Sequence, residues 1–106
     1  MKSTRFHLDV PHKRQLANGE LVSFSKRTTV TFPVELAELI CCLQEVDPHS
    51  DGSHAVVREW LQAQIDMSQL WGMSNVSQYL RMQAIRAVAL PVLVERSDAF
   101  RWNRPK

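Results

Sequence analysis

The sequence predicts a mainly α-helical protein with one short β-strand, which comes before the helices. Residues 26–33 (KRTTVTFP) place β-branched and aromatic side chains in the alternation that is typical of a strand. After Pro33, apolar side chains return every three or four positions, which is the spacing of an amphipathic helix. No comparable strand follows, and an isolated strand leaves its backbone N–H and C=O groups unpaired. We therefore expect the strand to pair with its copy in a second chain, so that the protein is a homodimer.

The two faces of this strand differ in chemistry. Successive side chains of a strand point to opposite sides, so Arg27, Thr29 and Thr31 share one face. Val30 and Phe32 share the other, which we expect to be buried. The polar face is available to a ligand or, in the simpler interpretation, to solvent, because threonine favours strands in any case.

The composition is that of one small domain with tails. The chain has 106 residues and a formal net charge of +2, which does not by itself identify a nucleic-acid-binding protein. The basic residues are concentrated in residues 1–27 and 96–106, and the helical middle carries most of the acidic ones. Basic ends on a more acidic body suit segments that contact phosphate, and solvated tails are the alternative.

The cysteines and the hydrophobic pattern indicate the compartment. Cys41 and Cys42 are adjacent and no CxxC spacing occurs, so a disulfide framework is not expected. No apolar run is long enough to span a membrane, and the N-terminus lacks the pattern of a signal peptide. We expect a reduced, cytoplasmic protein with no membrane partner.

Three segments are expected along the chain. Residues 1–25 are predicted to form a flexible basic N-terminal arm, with a hairpin that turns at Asn18-Gly19 as the alternative. Residues 26–67 hold the strand and two helices, and residues 68–106 hold a C-terminal helix and a basic, aromatic tail.

The helical pattern after the strand has three parts. The first predicted helix covers residues 34–46, the second residues 54–67 with Ser53 as its N-terminal cap, and the third residues 76–90. A turn-forming segment, DPHSDG at residues 47–52, separates the first two.

The order of strand, helix, glycine-containing turn and serine-capped helix resembles the ribbon-helix-helix family of DNA-binding proteins, to which Arc and MetJ belong. The resemblance covers about residues 25–67. The positions that carry it are the strand 27–33, the apolar stripe Leu36, Leu39, Ile40 and Leu43, and Gly52-Ser53 followed by Val56-Val57-Arg58.

This resemblance implies a partner and a site. Members of the family pair their strands antiparallel across a homodimer and lay the two-stranded ribbon in the major groove of DNA. At the matching positions, Arg27, Thr29 and Thr31 are expected to contact bases, since arginine bonds to O6 and N7 of guanine and threonine offers a hydroxyl and a methyl group. The expected phosphate contacts are Lys26, before the strand, and the start of the second helix, Gly52, Ser53 and His54.

The resemblance implies a transcriptional regulator or repressor that binds a short palindromic or repeated operator and assembles further on DNA. An accessory DNA-binding protein of a relaxosome or partition system of a mobile element would use the same face. An antitoxin or adaptor, which binds a partner protein through the C-terminal region, is the alternative from another class. The segment at residues 72–81 also resembles the turn and second helix of the family, which would make residues 47–71 an insertion.

Catalysis and metal binding are not expected. No nucleophile lies near a base in the sequence, and no carboxylate pair stands out. Cys41, Cys42, His49 and His54 match no zinc-binding spacing. We expect neither an enzyme nor a protein with a cofactor or metal.

The large aromatic side chains have two expected roles. Trp60, Trp71 and Tyr79 are expected in the core or in the dimer interface. Phe100 and Trp102, which lie among arginines, suit either stacking on bases or docking on a protein partner.

Overall fold

A long β-hairpin precedes three helices in the computed structural model of the chain, which describes residues 2–89. The elements in chain order are β1 (Ser3–Gln15), β2 (Leu21–Pro33), α1 (Val34–Leu43), α2 (Ser53–Ser68) and α3 (Val76–Val88). None of the helices in the described part is long and apolar enough to cross a membrane.

The hairpin pairs β1 with β2 antiparallel along their whole length, from Ser3 opposite Pro33 to Gln15 opposite Leu21. The connecting turn needs a glycine, because Gly19 has a φ of +88°, in the left-handed region that other residues rarely adopt. This is the Asn18-Gly19 turn that the sequence offered as the alternative.

The prediction of one strand, with residues 1–25 as a flexible arm before it, is therefore wrong, because most of that segment forms β1. Phe6, Leu8 and Val10 of β1 alternate with polar residues, and all three side chains are buried. They complete the apolar face of a two-stranded sheet, and the backbone groups of β2 that face β1 are paired within the chain. The strand therefore needs no second copy to pair its backbone groups, and the homodimer expected on that ground is not required.

Pro11 does not interrupt β1 because of its position in the ladder. Its carbonyl oxygen points away from β2 and accepts from the backbone N–H of Gly72, at 2.9 Å. The missing N–H of the proline would point in the same direction, so the pairing with β2 loses no bond.

The outer edge of β1 is covered by side chains of α2 instead of a third strand. Three polar side chains, one per turn of the helix, bond to the backbone of every second residue of β1. The bonds are His54 Nε2 with the carbonyl of Arg5 (3.1 Å), Arg58 Nε to the carbonyl of His7 (2.9 Å), and Gln62 with both the N–H and the carbonyl of Asp9 (2.9 Å each). Such coverage protects an edge that would otherwise be open to strand addition.

All three helices pack on one face of the hairpin and share one hydrophobic core. The fully buried side chains from the helices are those of Ile40 in α1, Val57, Leu61 and Ile65 in α2, and Leu80 and Ala84 in α3. The third helix, expected as an extension, is thus an integral part of the domain. Its core residues and those of α1 and α2 cover Val30 and Phe32.

Candidate nucleic-acid interface

The face of the hairpin that points away from the helices is polar and exposed. Arg27, Thr29 and Thr31 lie on it, and Val30 and Phe32 on the opposite face are 1% and 0% exposed. The predicted orientation of this strand is confirmed. We call this surface, formed by the outward side chains of both strands, the ribbon face.

Half of the ribbon face comes from β1 and was not predicted. Each expected base-contacting residue of β2 has a polar or charged neighbour directly across the hairpin, and all six side chains are exposed. The pairs are Arg5 with Thr31, His7 with Thr29, and Asp9 with Arg27. The alternation of Phe6, Leu8 and Val10 is the signal in the sequence that would have placed the residues between them on this face.

The three pairs bring their side chains close together. The carbonyls of Arg5, His7 and Asp9 point outward to α2, so these residues do not exchange backbone bonds with their partners on β2. Such non-hydrogen-bonded pairs have the shorter Cα separation in an antiparallel sheet, about 4.5 Å. In the middle pair, His7 Nδ1 and Thr29 Oγ1 form a hydrogen bond of 3.0 Å.

The charge of the ribbon face is positive with one acidic exception. Arg5 and Arg27 are exposed cations near its centre, and Asp9 lies directly opposite Arg27. Lys13 lies farther along β1, where its Nζ stands 4.5 Å from the centre of the Trp71 ring in a cation–π contact. The surface therefore offers donors, acceptors and a small excess of positive charge.

The start of α2 lies beside the β1 edge of the ribbon. The helix begins at Ser53 with Gly52 as its N-terminal cap, one residue earlier than predicted, and no side chain caps it. The His54 ring stacks on Phe6 with 4.4 Å between the ring centres, and it is bonded to the Arg5 carbonyl. These two contacts of the His54 ring hold the start of α2, at Gly52 and Ser53, next to Arg5.

Lys26 is separated from that group. In the register of the hairpin it lies opposite Val10, on the side of β2 that faces the helices. It borders a depression together with Met73 and Ser74, at the start of α3. The four expected phosphate contacts therefore do not form one cluster.

The start of α3 flanks the other strand of the hairpin. Asn75, its N-terminal cap, and Ser77 border the same depression as Thr28 and Thr29 of β2. Both segments that resemble the second helix of the family are therefore helices, and each begins beside one strand of the ribbon. This near-symmetry places a helix start without a side-chain cap on each side of the ribbon face.

The cysteines lie below the ribbon in α1. Cys41 is buried, its thiol is 3.8 Å from the carbonyl oxygen of Ser53, and burial followed by the neighbouring Cys42 raises its pKa. A raised pKa keeps the thiol neutral, which suits packing. Among residues 2–89, no group of three or more His, Cys, Asp or Glu side chains is arranged to hold a metal ion.

The large aromatic side chains differ in how far they are buried. Trp60 and Tyr79 are half-buried against the core, as predicted, whereas Trp71 is 46% exposed and makes a cation–π contact with Lys13. Phe100 and Trp102 lie outside the described residues.

Comparison of the chain with models of protein families, with curated proteins and with solved structures gives no match. A function is therefore inferred from the geometry and chemistry of the ribbon face.

Proposed function

We propose that the protein is a sequence-specific DNA-binding protein that places its ribbon face in the major groove. The observation that supports this best is a two-stranded ribbon with a buried apolar face and an exposed face of arginine, histidine and threonine side chains. The strands of such a ribbon lie about 4.8 Å apart. The major groove of B-DNA is about 12 Å wide and admits a two-stranded ribbon.

The residues of the ribbon face suit contacts to base edges. The guanidinium groups of Arg5 and Arg27 match O6 and N7 of guanine, and the hydroxyl and methyl groups of Thr29 and Thr31 suit adenine or thymine. Asp9 is an acceptor, which suits the amino group of cytosine. In this proposal Arg27, Thr29 and Thr31 keep their expected role, and β1 adds a second row of contacts.

Phosphate contacts are proposed at the start of α2 and at Lys26 of β2. Gly52, Ser53 and His54, at the start of α2, lie beside the β1 edge. The Ser53 N–H already donates to the Ser50 carbonyl, at 3.3 Å, so the start of α2 would attract phosphate through its other N–H groups and its dipole. Lys26 lies in β2, on the far strand from α2 and close to the start of α3. We propose that it attracts the phosphates on the β2 side of the ribbon. These contacts would position the ribbon without specifying sequence.

The DNA site is proposed to lack a two-fold axis. In a ribbon made by two copies of one strand, both strands present the same residues, and the site is palindromic. Here one strand presents Arg5, His7 and Asp9 and the other Arg27, Thr29 and Thr31. One chain carries a complete ribbon, so the homodimer expected earlier is not needed to form the reading surface. Regulation of transcription is the role we propose for it.

Selection of bound sequences from random duplex DNA tests the proposal. We expect the wild type to enrich one motif and the double variant Thr29→Ala, Thr31→Ala to lose it, whereas Gln44→Ala, at an exposed position after α1, keeps it. Circular dichroism should show that all three proteins are folded.

A folded wild type that enriches no motif would overturn the proposal. It would favour the alternative of a protein-binding module, for which α1 and α3 offer exposed apolar side chains. These are Leu39, Leu43, Met82 and Ile85.

A further inference from the structure

His7 and Thr29 lie directly opposite one another on the ribbon face. They form the middle one of the three cross-strand pairs, and both side chains are exposed. Any base that this pair contacts meets the two side chains together. Their mutual hydrogen bond, of 3.0 Å between Nδ1 and Oγ1, makes the chemistry of one depend on the other.

The bond can be formed in two ways when the imidazole is neutral. If the Thr29 hydroxyl donates to Nδ1, then Nε2 carries the proton and is a donor, and Oγ1 remains an acceptor. If Nδ1–H donates to Oγ1, then Nε2 is an acceptor and the Thr29 hydroxyl proton is free to be donated. In both cases the pair presents one donor and one acceptor to a ligand.

Protonation of the imidazole changes this pattern. Both ring nitrogens then carry protons, so Nδ1–H donates to Oγ1, and Nε2–H and the Thr29 hydroxyl both point to a ligand as donors. The pair thus presents one donor and one acceptor when neutral, and two donors when charged.

The surroundings hold the pair in place. The backbone carbonyl of His7 accepts a hydrogen bond from Arg58 of α2, at 2.9 Å. The charged and titratable residues around His7 in the register and in α2 are Arg5 and Asp9 on its own strand, Arg27 across the hairpin, and Arg58 with His54 from α2.

These patterns match the major-groove edges of the two purines. Adenine offers the N7 acceptor beside the N6 amino donor, and guanine offers two acceptors, N7 and O6. We propose that His7 and Thr29 together recognise one purine at the centre of the site, adenine when His7 is neutral and guanine when it is protonated. This inference rests on the proposed function and assigns His7 as a specificity-determining residue.

The test is a selection from random duplex DNA at two pH values, about 8 and about 5.5, because lowering the pH favours the protonated form of an imidazole. For the wild type we expect one motif position that is adenine at the higher pH and shifts toward guanine at the lower pH. A good two-bond contact corresponds to a preference of about 5- to 150-fold over the wrong base.

Three single variants and their combinations distinguish an effect of the His7–Thr29 pair from an effect of its neighbours. His7→Ala and Thr29→Val should each lose the adenine preference and its pH dependence at that position, and the double variant should lose little more than either one. Thr31→Val is the matched control, because it removes a hydroxyl from the same face without touching His7, and its effect should add to that of His7→Ala.

The outcomes distinguish this inference from the proposed function. A wild-type motif in which no purine position responds to His7→Ala, Thr29→Val or pH would overturn the inference and leave DNA recognition by the ribbon intact. Additive effects of His7→Ala and Thr29→Val would also overturn it. A wild type without any motif would overturn both.

Discussion

Arg58 donates a hydrogen bond from its Nε to the backbone carbonyl of His7, at a distance of 2.9 Å. This bond joins the helical layer to the strand that carries half of the ribbon face. It is the middle one of the three contacts by which α2 covers the edge of β1, between those of His54 and Gln62. The helix therefore holds β1 in place and also determines where its own first turn lies relative to the ribbon.

Substitution of Arg58 should weaken the fold without destroying it. Arg58→Met keeps the apolar stem but leaves the His7 carbonyl without its partner, so we expect a loss of about 1 to 2 kcal/mol in the free energy of unfolding. Urea denaturation measures this, with Arg81→Met, at an exposed position of α3, as the control. Equal stability of the two variants would show that the bond contributes nothing.

Arg27→Ala should reduce specific DNA binding by about 1 to 3 kcal/mol, which is the usual contribution of one two-bond contact to guanine. The measurement compares affinity for the selected motif with affinity for random duplex DNA. Arg81→Ala removes the same charge from the helical layer and should have little effect on either. An equal loss on both DNAs would mean that Arg27 contacts phosphate.

Val30→Asp should unfold the protein. The Val30 side chain is 1% exposed within an apolar core, so the carboxylate would be buried without a partner, at a cost of about 3 kcal/mol or more. Thr29→Asp introduces the same charge one residue earlier, on the exposed face, and should fold normally. Thermal denaturation followed by circular dichroism compares the two, and a Val30→Asp protein as stable as Thr29→Asp would contradict the assignment of faces.

Removal of α3 should also unfold the protein. A chain that ends at Met67 lacks the buried side chains of Val76, Leu80 and Ala84, which belong to the same core as β2. A chain that ends at Ala89 keeps all of them and should give a cooperative urea transition. A cooperative transition in the shorter chain would mean that α3 is not needed for folding.

The pH dependence of stability should include a contribution from Cys41. Its pKa is raised in the folded state, chiefly by burial, so the folded protein holds this proton more tightly than the unfolded chain does. The stabilisation is complete below the ordinary thiol pKa of 9.0 and is lost as the pH rises from there through the pKa of the folded state. Urea denaturation across this range should show that the free energy of unfolding falls as the pH rises, and that this fall is smaller in Cys41→Ala. The exposed Cys42 should react first with a thiol reagent.

The parts of the fold that the sequence predicts are those that local pattern determines. The alternation around Val30 and Phe32 fixes the faces of β2, and Pro33 marks the end of the strand, because both properties depend on neighbouring residues. The helical spacing likewise identifies all three helices, although α1 ends at Leu43, three residues before the predicted end at Val46.

The parts that were missed depend on residues distant in sequence. Pro11 and the polar residues after it weaken the strand signal of β1, and its edge is satisfied by side chains of α2 about fifty positions later. The place of α3 in the core is of the same kind, because periodicity shows that Leu80 needs burial but not where. The site shows the same dependence on distant residues. The alternation within β2 correctly predicts that Arg27, Thr29 and Thr31 share an exposed face, but it does not show that Arg5 and His7, predicted to lie in an arm, pair with them.

The covalent connection between β1 and β2 has a consequence for how binding depends on concentration. When a ribbon is shared by two chains, dilution separates the strands, and the dissociation of the dimer is linked to every measured DNA affinity. In this hairpin a five-residue turn, residues 16–20, holds the two strands at a fixed and high effective concentration for one another. The pairing of the two strands therefore does not depend on protein concentration, and under the proposed function a titration with DNA should follow a simple hyperbola with no term for dimer dissociation.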